Sequence, residues 1–167
     1  MYSIQITEVF EDWFTGLKDH MVKVRIQARI DRAEDGNFGD SQPVGGGVSE
    51  MRLHFGKATL EERCMGTDNN INTLKLKKWD SAAHLGSEAD IVAYLQACFE
   101  EAPEDAAFLA KALGTVARAR GMTQLAKDVG LGRESLYKAL SGDNNPSFAT
   151  MLKVMSALGV KLQVVAA

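Results

Sequence analysis

Thr123–Ser141 reads TQLAKDVGLGRESLYKALS, and this stretch decides how the second half of the chain folds. Gln124, Leu125, Ala126 and Val129 form one apolar-periodic segment. Gly130-Leu131-Gly132 is a turn, and Glu134, Leu136, Tyr137, Lys138 and Leu140 occupy a second segment. Ala126 is small where two helices cross closely, Gly130 can take positive φ, and Leu131 can plug the gap between the helices. This is the pattern of a helix-turn-helix whose second helix enters the DNA major groove.

The residues of that stretch divide by periodicity. Leu125, Ala126, Val129, Leu131, Leu136 and Leu140 are core. Gln124, Lys127, Arg133, Glu134, Ser135, Tyr137 and Lys138 are the DNA-binding candidates. Arg133 can reach guanine or phosphate, and Glu134 can accept from cytosine. Gln124, at the start of the first helix, is placed for a phosphate. The competing reading makes these residues the solvated face of a helical protein that binds only protein. The turn chemistry, helix order and charge together favour DNA.

Charge supports this locally rather than globally. The 167 residues carry a net charge of −3. Residues 118–138 nevertheless hold five bases, Arg118, Arg120, Lys127, Arg133 and Lys138, against Asp128 and Glu134. Such a stripe suffices for phosphate contact whatever the total charge. Residues 87–105 hold six acids and no base. They serve either as helix-start acids on a solvated face or as a surface complementary to a basic protein.

Around the central stretch the second half reads as helical. Ser87-x-x-Asp90 resembles a capping box ahead of Ile91, Val92, Tyr94, Leu95 and Cys98. Pro103 is expected to open a helix through Phe108, Leu113 and Val116 that Gly121 ends. Thr123 is expected to cap the next helix. A last helix spans Phe148–Leu158, and Val160–Val164 alternates as a terminal strand.

The first half mixes periods. Ser3–Thr7 alternates as a strand, and helical patterns follow over Val9–Leu17 and His20–Ala33. Gly36–Asp40 and Gly45–Gly47 are turns, and Val48–Phe55 alternates as one strand. Residues 56–74 read as a linker, with room for one short helix at Ala58–Cys64. Leu74–Trp79 is a short strand or extended arm. Phe10, Trp13, Phe14 and Phe55 have core spacing rather than that of a nucleic-acid platform. The expected organisation is 1–55, a linker at 56–74 and a second domain at 75–167. The fold class is α+β: a small unit with an incomplete antiparallel sheet, then an all-α domain with a short terminal strand.

Several classes drop out. No apolar run approaches the roughly 18 residues of a membrane span. The acidic start, MYSIQITEVFEDW, lacks a signal peptide's basic and apolar regions, so a cytoplasmic location is expected. Cys64 and Cys98 are far apart, with no CxxC and no histidine at ligand spacing. Reduced thiols, no metal and no cofactor are expected.

Two resemblances sharpen the reading. ALGTVARARGMTQLAKDVGLGRESLYKALSGDNNPSFATMLKVMSALGVKL, residues 112–162, resembles the core of HigA-like addiction-module antitoxins of the antidote class, related to lambda-repressor-like domains. The likeness begins near KKWDSAAHLGSEADIVAYLQ, from Lys77, and covers about 90 residues. It implies five helices, a homodimer, operator DNA as partner and neutralisation of a toxin encoded alongside. The family's DNA-reading helix corresponds to Arg133–Leu140.

Residues 1–56 resemble the opening of a HigB-like toxin of the RelE/ParE superfamily, through the GNFGD turn and the GVSEMRLHFG strand. Members are compact ribonucleases or replication poisons. Such toxins continue into two more strands, whereas KATLEERCMGTDNN follows here with no strand pattern. Arg52 and His54 remain as catalytic candidates, with outward positions on an alternating strand the favoured reading. Residues 1–65 hold eight Lys/Arg against eleven Asp/Glu, and a metal-free RNA-cutting surface needs positive charge.

The expectation is therefore a fusion of a truncated toxin with a complete antitoxin. It would act as a DNA-binding autorepressor and not as an enzyme, with its two halves packed within or between chains. A ribonuclease silenced by its fused antitoxin, and a module neutralising intact toxin in trans, are the alternatives.

Overall fold

The computed structural model describes residues 2–46, 48–55, 58–60 and 75–163, the side chains of 54–55 and 58–60 excepted. The fold is α+β. It comprises seven α-helices and three separate two-stranded antiparallel pairings among these residues. The chain divides into two compact units, Met1–Trp79 and Asp80–Ala167.

In the first unit, β1 (Gln5–Thr7) leads directly into α1 (Glu8–Gly16). Thr7 caps that helix by accepting from the Phe10 amide at 3.2 Å. Asp19 caps α2 (His20–Glu34) through the Met21 and Val22 amides. The hairpin β2 (Ser41–Gly45) and β3 (Val48–Met51) follows. Next come the pair β4 (Leu53–Phe55) and β5 (Ala58–Leu60), and then β6 (Leu76–Lys78). β6 pairs antiparallel with β1, Ile6 opposite Lys77. Ile6, Phe14, Ile26, Ile30 and Trp79 form one buried cluster, with Phe10, Leu17 and Val22 packed against it.

In the second unit, Asp80 caps a 3₁₀ turn at Ser81–His84. Five helices follow: α3 (Glu88–Glu101), α4 (Ala106–Arg120), α5 (Met122–Val129), α6 (Arg133–Ala139) and α7 (Phe148–Ala157). The capping box is present in both directions: Ser87 Oγ accepts from Asp90 N, and Asp90 Oδ2 accepts from Ser87 N. α4 is the central helix. It buries Phe108, Leu113 and Val116 and packs against α3, α5 and α7.

Several expectations are corrected. Val48–Phe55 is two strands, interrupted at Arg52, whose amide donates to Asp40 O at 2.8 Å. Ser41–Gly45 is a strand although it runs into the turn expected at Gly45–Gly47, and its Pro43 is tolerated on the edge of a two-stranded pair. Ala58–Leu60 is a strand, not the start of a helix; the rest of the helix expected to Cys64 lies outside the described residues. Pro103 precedes α4 instead of opening it, and Asp105 supplies the cap, because its carboxylate reaches the Phe108 amide at 3.0 Å. Thr123 lies inside α5, whose N-cap is Gly121. Residues 160–163 form no strand. Residues 75–79, grouped by sequence with the second half, fall in the first unit by packing.

Candidate nucleic-acid interface

The α5–α6 pair is built by the turn chemistry of Gly130. It sits at φ 72°, left-handed, and its amide reaches the carbonyls of Ala126 and Lys127. The Leu131 amide returns to Ala126 O at 2.9 Å. This satisfies the last carbonyls of α5 and stops the helix. Gly132 then begins α6, its carbonyl accepting from Leu136 N.

Leu125, Ala126, Val129, Leu136 and Leu140 are buried as their spacing requires, and Leu131 is half-buried. Gln124, Lys127, Arg133, Glu134, Ser135, Tyr137 and Lys138 are all exposed. The pair is anchored from below at Gly114 of α4. A Cβ there would lie 2.8 Å from the Leu140 carbonyl, so only glycine lets the end of α6 approach so closely. Beyond α6, the Ser141 hydroxyl and the Asn144 amide both donate to Lys138 O at 3.1 Å. The exposed face of α6 is thus fixed at its base and at its C-terminus.

Electrostatics separates the five bases. Arg118 pairs with Asp80, and Arg120 with Glu88, each at 3.2 Å. Among the described residues, Lys127, Arg133 and Lys138 form no ion pair. The Arg133 guanidinium lies over the Tyr137 ring at 5.6 Å, a cation–π arrangement one helical turn apart. The Gln124 side-chain amide donates to Asp128 at 2.8 Å.

Between the end of α4 and the starts of α5 and α6 lies an open depression of about 610 Å³, lined by Arg118, Thr123, Gln124, Arg133 and Tyr137 among others. Three of the sequence candidates, Gln124, Arg133 and Tyr137, therefore share one concavity. Lys127, Glu134, Ser135 and Lys138 do not line it. Arg118 and Thr123 do, and the sequence candidates omit both. Arg118 is visible in sequence only as one member of a basic stripe.

The six acids of 87–105 include several with local tasks. Asp90 and Asp105 cap helices, and Glu88 holds Arg120. In the first unit, the Arg52 guanidinium is held by Glu50, with Nη2 at 2.7 Å and Nε at 3.0 Å. His54 faces Thr59 in the β4–β5 register. Cys98 is a buried cysteine, and Cys64 lies outside the described residues. Among the described residues no group of His, Cys, Asp and Glu could hold a metal, and no helix is long and apolar enough to cross a membrane.

The second unit is thus a small helical protein that presents an exposed, cationic pair of short helices. Residues 75–166 match the family described as a probable addiction module antidote protein, and the chain belongs to this family. A protein of Haemophilus influenzae (strain ATCC 51907 / DSM 11121 / KW20 / Rd), described as uncharacterized, is 50% identical over 92 residues, 55% of this chain and 93% of its own length. A second uncharacterized protein of the same organism is 41% identical over 54 residues, 32% of this chain and 54% of its own. No solved structure matches. The family supports an antitoxin role; residues 1–74 lie outside the matched region.

Proposed function

We propose that the chain is a DNA-binding antitoxin and autorepressor fused to an inactive, HigB-like toxin remnant. Its antidote-family region neutralises a toxin, and as a homodimer it recognises palindromic half-sites about one helical turn apart in its own promoter. The observation that carries this reading is the grouping of Lys127, Arg133 and Lys138, exposed and without ion partners among the described residues, on two helices joined by a three-residue turn. Unpaired surface cations are the groups that release counterions on phosphates. Arg133, at the start of α6, has the bidentate geometry for guanine, and Tyr137 supports its plane.

The first unit supports an inactive remnant. Metal-free phosphoryl chemistry needs an acid, a base and a positive clamp together. Arg52, the candidate clamp, is already engaged by Glu50. The chain is accordingly read as non-enzymatic.

Footprinting of the purified protein on its own upstream DNA tests the reading, with two protected half-sites expected. Arg133→Ala weakens specific binding by about 1–3 kcal/mol and relaxes preference at one base pair. Gln124→Ala weakens all sequences alike, as loss of a phosphate contact does. Unchanged affinity in both variants at fixed salt refutes the placement of the reading helix.

A further inference from the structure

Residues 75–79 have two allegiances. By family they open the antidote region, which begins at residue 75. By packing they complete the other unit, which ends at Trp79. We propose that Lys75–Trp79 is a toxin-gripping arm: the segment with which an antidote of this family clamps a toxin of the first unit's fold, engaged here within one chain. This rests on the reading of residues 1–55 as toxin-like.

The arm holds by three means at once. Its backbone adds a strand to β1, with Gln5 opposite Lys78 and Thr7 opposite Leu76, and the ladder extends through the Trp79 amide to Ile4 O at 3.0 Å. This is recognition by strand addition, in which the ladder gives affinity and alternate side chains give selectivity.

The second means is the indole. Trp79 is 3% exposed, edge-on to Phe14 at a centroid distance of 5.1 Å and to Phe10 at 6.1 Å. Its Nε1 donates to Asp31 Oδ1 at 3.2 Å, so the one polar atom of the ring has a partner. A large aromatic seated in a dry pocket with its donor satisfied is the type of residue that dominates binding energy.

The third means is charge. Lys75 reaches Glu8 at 3.8 Å, and Lys77 pairs with Glu11. Glu8 and Glu11 are three residues apart on one face of α1. Lys75, Lys77 and Trp79 are two apart, hence on one face of an extended chain. The two spacings match; Lys75–Lys78 are all exposed, so the ion pairs lie at the surface and serve register more than affinity. The surface formed by β1, the seat beneath α1 and the Glu8/Glu11 pair therefore selects an extended peptide of the pattern Lys-x-Lys-x-Trp.

The test starts from the full chain. A specific protease site is introduced between residues 66 and 70, the chain is cleaved, and the products are run on size exclusion. The halves co-elute after cleavage. A synthetic peptide of residues 74–80, LKLKKWD, added in excess releases the second half. The same peptide with Trp79→Ala is weaker by about 30-fold or more, the loss expected of a central aromatic anchor. Neither peptide requires a folding-competent variant of the protein. Separation on cleavage alone, retention at saturating peptide, or equal potency of the two peptides overturns the proposal. An intact HigB-like toxin is titrated with the same peptides. Binding by the cleaved chain's first unit without binding by that toxin overturns the toxin-like reading instead, and leaves the arm.

Discussion

The two units differ in how their exposed cations are placed. In the first, several cations are occupied, Arg52 by Glu50, Lys75 by Glu8, Lys77 by Glu11, and Arg29, 6% exposed, by Phe38 O, while Lys18 and Lys78 stand exposed and far apart in the chain. Phe10 and Trp79 pack inward around Phe14. In the second, Lys127, Arg133 and Lys138 stand exposed, with Tyr137 beside Arg133. Net charge does not separate these situations; the grouping of unpaired cations on one pair of short helices does. A nucleic-acid surface is identified by the cations that remain uncommitted, because only those exchange counterions for phosphate without first giving up a protein partner.

Two aromatic truncations give this comparison its strongest test. Phe14 is completely buried, ringed by Phe10 and Trp79, with the Lys23 ammonium 5.1 Å from its centroid. Phe14→Ala leaves a cavity and costs about 3–5 kcal/mol in denaturant unfolding followed by circular dichroism. Tyr137 is 41% exposed. Tyr137→Ala costs under about 0.5 kcal/mol of stability yet weakens sequence-specific DNA binding. Equal stability losses would show that Tyr137 itself serves as core, and the contrast would collapse.

The next effect lies beneath the reading face. At Gly114 a methyl group meets the backbone carbonyl of Leu140, which cannot swing aside as a flexible side chain would. Gly114→Ala therefore costs about 1–3 kcal/mol as overpacking, despite alanine's better helix propensity. Because the displaced element is the end of α6, DNA affinity falls as well. A melting temperature equal to or above that of the parent protein would show that α6 is not seated on α4 through this glycine.

What the sequence made legible follows from range. Periodicity placed α1, α2, α3, α5, α6 and α7 because each carries its apolar face, and in most cases its caps, within its own residues: Ser87 with Asp90, Gly130 with Leu131. The turn positions of the reading pair are local in the same sense, so the seven candidates emerge exposed. Pro103 misled because an N1 proline and a pre-helix proline look alike until Asp105 is seen to take the Phe108 amide. Where strands were missed or their pairing was not seen, the reason is the converse. β5 has no face of its own and exists through its partner, Leu53 opposite Leu60. β6 was recognised as extended, but its partner β1 lies some seventy residues earlier, and no local pattern reveals that. The depression was invisible in the same way, since Arg118 and Arg133 converge only through the packing of α4, α5 and α6.

The smallest effect examines the boundary between committed and free cations. Arg118 lines the depression beside Arg133, but its guanidinium is shared with Asp80 at 3.2 Å. Both side chains are about half exposed, 46% and 52%, so the pair contributes little to stability, about 0–1 kcal/mol. Asp80 competes with an incoming phosphate for the same donor and places a like charge near it. It also caps the 3₁₀ turn through the Ala82 amide, a role that asparagine fills equally well. Asp80→Asn thus removes the competing charge while keeping the cap. Affinity for DNA rises severalfold at low salt. The slope of log K against log salt concentration steepens by about 0.9, the value for one added phosphate contact. Fluorescence anisotropy titrations across a salt series measure both quantities. An unchanged slope would mean that Arg118 faces no phosphate even when released, and would confine the contact surface to Lys127, Arg133 and Lys138.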